Sequence, residues 1–381
     1  APELAITPAA KAIGARTAVT VTAAEPTRGL TGVKVEFVQG DRVETLVAKT
    51  YVPESAWAFW GTRTSSDAIK FELGREVQKN LKQLPATIRV TATRASSWLR
   101  HPDPVVMELV LPVRLTPPTL AVVSSFTYVS QGGCEAVVYR VGETSVKDGV
   151  TTGGWFFPGF PLPGGGPQDR FALFAVPYDL GETSQMKLIA EDEVGNRAST
   201  AMIDKFFPRP LHRDTIPLDD AFLGKVVPSI LSQTPELTDK GDLLANYLQI
   251  NRELRKTDNA ELVELAKSSQ PRFLWTRPFQ PMGSTKVMAH FADRRSYSYR
   301  GSAVDQQDHL GLDMAGVSHA PIPAANDGVV VLARFFGIYG NAIVVDHGYG
   351  LMSLYGHLSA IDVKEGQTVT RGQILGRTGD T

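Results

Sequence analysis

The chain has 381 residues and a net charge of −1, with 39 basic and 40 acidic side chains. That balance gives no electrostatic reason to expect nucleic acid or an anionic membrane as a partner. Hydrophobic residues make up 43 % of the chain, yet no apolar run approaches the length of a membrane span. The single cysteine, Cys134, excludes an internal disulfide and any multi-cysteine metal site. It lies in a strand-like run and reads as a small buried side chain. Ala1-Pro-Glu-Leu4 begins like a processed chain, so an upstream signal or membrane anchor is expected. The length exceeds what one core usually holds, which predicts three or four domains.

Four segments follow in order. From residue 1 to 115 the texture is β. Arg16–Thr22, Val33–Val38, Thr87–Thr93 and Val105–Leu111 alternate apolar and polar residues, as strands with one buried and one wet face do. Leu115-Thr-Pro-Pro118 reads as a stiff linker. A second, immunoglobulin-like β domain is expected over 116–209, with strands at Leu120–Ser124, Ala136–Tyr139, Arg170–Val176 and Met186–Ala190. Gly195-Asn196 supplies hairpin chemistry. The Gly- and Pro-rich stretch Gly153–Gly166 is expected to form no regular structure and to pack over a domain edge.

After Pro210 the pattern becomes helical, and 210–270 reads as a connector. Leu218–Leu223 predicts a short helix with acids in its first turn. Thr238-Asp239 can cap a longer one carrying Leu243, Leu244, Tyr247, Leu248 and Leu254 at helical spacing. Asp258 or Asn259 can cap a third, Ala260–Lys267. From 271 to 381 the chain turns β and Gly-rich, with strands at Asp327–Ala333, Asn341–Asp346 and Leu351–Tyr355. The fold class is therefore mainly β: two N-terminal sandwiches, a helical connector and a C-terminal antiparallel β domain.

The chemistry sits in this last segment. In His309-Leu-Gly-Leu-Asp313 an imidazole and a carboxylate lie four residues apart, and zinc accepts both donor types. Gly311 lets the backbone bend between them. Taken alone, such a pair is more often a surface salt bridge. His357 follows in Leu354-Tyr-Gly-His-Leu-Ser359, where it is expected on a strand.

The ordered set of motifs resembles the catalytic domain of the lysostaphin and LytM-type zinc metallopeptidases, which cut bacterial peptidoglycan. The matching elements are His309–Asp313, Pro323–Val330, Tyr339–Gly348, Leu354–Ser359 and the glycine corners after Val363. The resemblance covers only the region from about Trp275 onward. It implies that His309 and Asp313 are zinc ligands and that His357 is a catalytic base or electrostatic stabiliser that does not bind the metal. One zinc ion per chain and peptidoglycan as substrate follow from it. So does a periplasmic or other extracytoplasmic location. Tyr297 or Tyr299 could add a hydroxyl; His319 and His347 read as structural, and His290, His101 and His212 carry no signal.

Two departures from the family pattern stand out. Phe291-Ala-Asp-Arg294 has Ala where the family usually has Gly, a change expected to be tolerated at negative φ. The family's His-x-His element, which carries the third zinc ligand, does not occur before Thr381, so the chain is expected to continue beyond it. The cleaved bond could be a D-Ala to diaminopimelate cross-link or a glycine bridge, the former favoured. The alternative reading is a non-catalytic LytM-type regulator of cell-wall amidases, or an inactive truncated form. The N-terminal domains could also hold the enzyme latent.

Overall fold

The computed structural model describes residues 1–51, 63–95, 102–210 and 212–379. His101 and the pair Asp380 and Thr381 lie outside the described residues. The fold is mainly β, with a short helical region and a β-rich C-terminal domain. Two compact units divide the chain. The first comprises Ala1–Ser125, Val137–Ala172 and Ser184–Met202, and the second Phe126–Ala136, Leu173–Thr183 and Ile203–Thr381. No helix among the described residues is long and apolar enough to cross a membrane.

In the first unit two sheets share one core. One orders Glu3–Pro8, Thr17–Ala24 and Ser66–Leu73; the other orders Arg42–Thr50, Leu30–Gln39, Ala86–Arg94 and Val105–Leu111. Val19, Val21 and Ile69 from one sheet meet Val35, Phe37, Ile88 and Val90 from the other. The sequence alternation causes this, because period two sends every second side chain to the same face. Two further four-stranded sheets follow, built around Cys134–Val141 and Lys147–Thr152. Asp192 accepts hydrogen bonds from the Val194 and Asn196 amides, which closes the Lys187–Glu191 and Arg197–Thr200 hairpin at Gly195.

Two expectations fail here. Cys134 begins its strand exposed rather than buried. The Gly153–Gly166 stretch is not irregular throughout. Trp155–Pro158 pairs with Lys147–Thr152, and Phe160–Pro161 pairs with Asp169–Ala175. Its aromatic residues favour strands, and Pro158 and Pro161 stand at strand ends, where a missing N–H costs no ladder bond.

The second unit carries the helices. Helix α1 runs Asp220–Leu231 with Asp219 as its cap. Helix α2, Leu243–Gln249, is capped by Asp242 rather than by Thr238 or Asp239. It continues through a π-helical turn at Ile250–Leu254 into α3, Arg255–Lys267. No break falls at Asp258 or Asn259. Asp258 is buried and accepts from the Ile338 amide at 3.0 Å, so it braces a later turn instead of starting a helix. Burial pushes its carboxyl pKa up. The helices pack Leu223, Val227, Tyr247, Ile250 and Leu254 against Tyr297 of the sheet Arg213–Leu218, Asp293–Tyr299 and Ser302–His309. The connector thus contributes a strand, Arg213–Leu218, that runs parallel to Asp293–Tyr299. Sequence patterning missed all three strands, because their polar residues obscure the period.

The C-terminal domain packs two sheets. One orders Met352–Tyr355, Asn341–Asp346, Gly328–Phe335 and Thr368–Val369; the other orders Pro321–Pro323, Ile374–Thr378 and Leu358–Ile361. Asn341–Asp346 is its spine. Ile343 and Val345 join the inter-sheet core with Leu358, Val369 and Leu375. Ala342 and Val344 face the opposite way, towards Leu262 and Leu265 of α3. Burial on both faces explains the unbroken apolar run of this strand.

Leu375 and its neighbour Ile374 test this register. Leu375 is 0 % exposed, whereas Ile374 is 39 % exposed. Leu375→Ala is expected to cost about 2–5 kcal/mol in denaturant titration. Ile374→Ala is expected to cost about 1 kcal/mol or less. Equal losses would contradict the register.

Candidate metal centre and active site

His309 ends the strand Ser302–His309, and Asp313 opens the strand Asp313–Ala315. Three intervening residues turn the chain so that His309 Nε2 lies 3.0 Å from Asp313 Oδ1. Gly311 does not sit in left-handed backbone. A Cβ there would meet His309 Nε2 at 3.5 Å, an ordinary contact, so neither backbone nor space demands glycine at this position.

The other imidazole nitrogen is fixed. His309 Nδ1 lies 3.0 Å from the His290 carbonyl, and a carbonyl oxygen can only accept, so Nδ1 carries the proton. Nε2 is then the nitrogen that can share a proton or a cation with Asp313. Metal-ligating histidines are commonly held in this way. Two ligands on a tetrahedral zinc, with bonds of about 2.0–2.2 Å, stand about 3.3 Å apart. The separation seen here is close to that, so both side chains fit a zinc ion. Among the described residues, no group of three or more His, Cys, Asp and Glu side chains converges to hold a metal.

Asp313 is held from a second side by Arg295, whose Nη2 donates to Oδ2 at 2.7 Å. The hydrogen bonds from His309 and then Arg295 hold its carboxyl well below the usual carboxylate range, against the opposing effect of burial. Arg295 was missed at the level of sequence. No sequence signal pointed to it: only the strand register shows that Arg295 shares a face with Asp293, which stands opposite His309.

His357 is not on a strand. It forms the turn between Met352–Tyr355 and Leu358–Ile361, with φ of 57°. Such backbone is unusual for a residue with a Cβ and needs external support. Support comes from both sides: the His357 amide donates to the Tyr339 carbonyl at 2.7 Å, and the Gly379 amide donates to the His357 carbonyl at 3.0 Å. Position 379 must be glycine, since a Cβ would meet that carbonyl at 2.5 Å. The His357 side chain reaches solvent but is surrounded by protein. Burial lowers its pKa; Asp313 opposes the shift, while His309 and Arg295 reinforce it. The imidazole is therefore neutral near pH 7 and able to accept a proton.

The other candidates lie elsewhere. Tyr297 is buried in the helical core, and the Tyr299 hydroxyl donates to Asp220 at 2.6 Å. Neither serves the site. His347 is fully buried, with Nδ1 on the Asp327 carbonyl and Nε2 near the Ser353 hydroxyl, a structural role. His319 is exposed and bonds the Ser359 hydroxyl at 3.0 Å. His290 has a part after all, through its backbone carbonyl.

Ala292 departs from expectation. Its φ is 66°, in the left-handed region, so the methyl group is strained rather than tolerated. Its amide donates to the His309 carbonyl at 2.6 Å, which ties this turn to the site. Ala292→Gly is expected to raise stability by about 1 kcal/mol in chemical denaturation, by relieving that strain. A loss of stability would show that the buried methyl contributes more than the strain costs.

The segment that carries these residues is similar to known proteins. Residues 307–381 match the sequence profile of Peptidase family M23. The chain is 45 % identical over 73 residues to the peptidoglycan DD-endopeptidase ShyA of Vibrio cholerae. It is 40 % identical over 73 residues to the DD-carboxypeptidase/endopeptidase Mpg of Neisseria meningitidis. Each alignment covers 19 % of this chain and 17 % of the relative, so the chain matches only a small part of the length of either. It is also 38 % identical over 73 residues to the lipoprotein NlpD/LppB homolog of Pseudomonas aeruginosa, covering 19 % of this chain and 24 % of that protein.

Proposed function

We propose that this chain, whose C-terminal residues 307–381 form a peptidase family M23 domain, is a zinc-dependent endopeptidase that cuts peptide cross-links of bacterial peptidoglycan. The observation that carries the reading is the 3.0 Å approach of His309 Nε2 to Asp313 Oδ1, with Nδ1 tied to a backbone carbonyl. The names of the relatives that share the segment support the substrate class. Residues 271–381 would be the catalytic domain and 210–270 its connector. Residues 1–115 and 116–209 would be the two N-terminal β domains, the second immunoglobulin-like. Action on peptidoglycan would put the protein in the cell envelope.

His309 and Asp313 would hold the zinc. When bound, zinc supplies a Lewis acid that polarises a carbonyl and acidifies water. The chain's own residues do the rest. The His290 carbonyl keeps His309 in one tautomer, and Arg295 keeps Asp313 ionised and aimed. Neutral His357 takes a proton from the attacking water or hydrogen-bonds the oxygen on which charge develops. Its turn geometry, locked by Tyr339 and Gly379, sets where that ring can reach. The favoured bond is the D-Ala to diaminopimelate cross-link.

Purified peptidoglycan incubated with zinc-loaded protein should release un-cross-linked muropeptides, and a chelator should stop this. His357→Ala should lower kcat by about 10²–10⁴-fold while zinc content stays unchanged. No cleavage by the zinc-loaded wild type, together with stimulation of a cell-wall amidase, would replace this reading with the regulator role. The match to the NlpD/LppB homolog keeps that role in view.

Arg295→Gln should weaken zinc binding by about 10–100-fold in competition with a chromophoric chelator, since it leaves Asp313 unsupported. Unchanged affinity would mean that Arg295 does not support the metal site through Asp313.

A further inference from the structure

The His290 carbonyl can hold the His309 ring only while two elements keep one separation: the turn His290–Asp293 and the end of the strand Ser302–His309. The turn is closed by its own bonds. The Asp293 amide donates to the His290 carbonyl at 3.3 Å, and the His290 amide donates to the Asp293 carboxylate at 2.7 Å. It is strained at Ala292, and such a turn persists only where its surroundings hold it. Phe291 supplies a hold from far back in the chain. Its ring stands edge-on to Tyr178, with centroids 6.0 Å apart and planes at 86°.

Tyr178 belongs to Leu173–Thr183 and Gly132 to Phe126–Ala136, two segments of the same compact unit as the proposed ligands. Gly132 packs on the Phe291 ring. Its φ is 75°, and a Cβ there would lie 2.9 Å from Phe291 Cε1, so backbone and contact both demand glycine. The two segments are laced together. The Gln131 side-chain amide donates to the Tyr178 carbonyl at 2.7 Å, and the Val176 amide donates to the Gly133 carbonyl at 2.8 Å. Tyr178 has a second grip. Its hydroxyl donates to Asp308 at 3.0 Å, and Asp308 also accepts from Arg294 at 2.9 and 3.3 Å. Asp308 immediately precedes His309. One side chain therefore holds the turn with its ring and the strand end with its hydroxyl. Those two elements set the 3.0 Å between His309 Nδ1 and the His290 carbonyl.

We propose that Tyr178, braced by Gly132, is a positioning residue that keeps the His290 carbonyl against His309 Nδ1. It acts through Phe291 and Asp308 and takes no part in bond breaking. Only the consequence for zinc rests on the endopeptidase reading; the positioning does not. Support for the site then comes from outside residues 271–381.

The test uses the full chain with nitrogen-15 in its histidines, without zinc. The His309 Nδ1 proton, held on a carbonyl, should give a slowly exchanging ring N–H signal, assigned by its loss in His309→Ala. Tyr178→Ala and Gly132→Ala should each speed its exchange by at least about tenfold, and Tyr178→Phe by less, since the ring grip remains. Gly40→Ala is the control: its φ is 61° and a Cβ there meets nothing within 4 Å, so it adds backbone strain without pushing on Phe291. Gly132→Ala combined with Phe291→Leu should recover part of the protection, because the smaller side chain relieves the contact. Melting curves check folding, and if Tyr178→Ala does not fold, Tyr178→Phe and Gly132→Ala decide. No protected ring proton in wild type, unchanged exchange in folded Tyr178→Ala, or an equal effect of Gly40→Ala would overturn the proposal. Zinc affinity is measured alongside by chelator competition, and Tyr178→Ala should lower it about tenfold. A ring proton that responds as stated in a protein that binds no zinc removes only the endopeptidase reading. Zinc binding with an unresponsive ring proton removes only the role of Tyr178.

Discussion

One hydrogen bond organises the site: His309 Nδ1 donating to the carbonyl of His290. It settles which imidazole nitrogen faces Asp313, and without it the pair would be an ordinary surface contact. The bond exists because Asp293–Tyr299 and Ser302–His309 pair with Asp293 opposite His309. The left-handed turn at Ala292 then carries His290 back over the end of the strand. Local strain is retained where it aims a hydrogen-bond acceptor, the His290 carbonyl, as expected for a site that must be preorganised.

The same logic holds for His357. A turn with positive φ exposes the ring while hydrogen bonds on both sides keep it in place. Behind it, Asn341–Asp346 is buried on both faces, between the inter-sheet core and α3. That strand ties the helical region to the C-terminal sheets. The connector also joins the β sheet through Arg213–Leu218 instead of merely spanning two domains.

The fold was legible where one face of an element is buried. Thr17–Ala24, Leu30–Gln39 and Asn341–Asp346 follow their apolar patterns closely. It was not legible where tertiary contacts override local signals. Asp258 resembles a helix cap, but burial against Ile338 gives it another task. Asp293–Tyr299 and Ser302–His309 are largely polar because their side chains bond one another and the helices, so no period shows. The proposal of His309 and Asp313 as ligands, and of His357 beside them, comes from a family pattern of ordered motifs. Arg295 and the His290 carbonyl were not legible, since strand register and a backbone oxygen leave no mark on residue identity.

X-ray absorption at the zinc edge, on zinc-loaded wild type and His309→Ala, tests the central claim most directly. The account predicts a first shell of nitrogen and oxygen at about 2.0–2.2 Å. An imidazole signature should be present in wild type and diminished in His309→Ala. Identical spectra from the two proteins, or a wild type that retains no zinc, would contradict it.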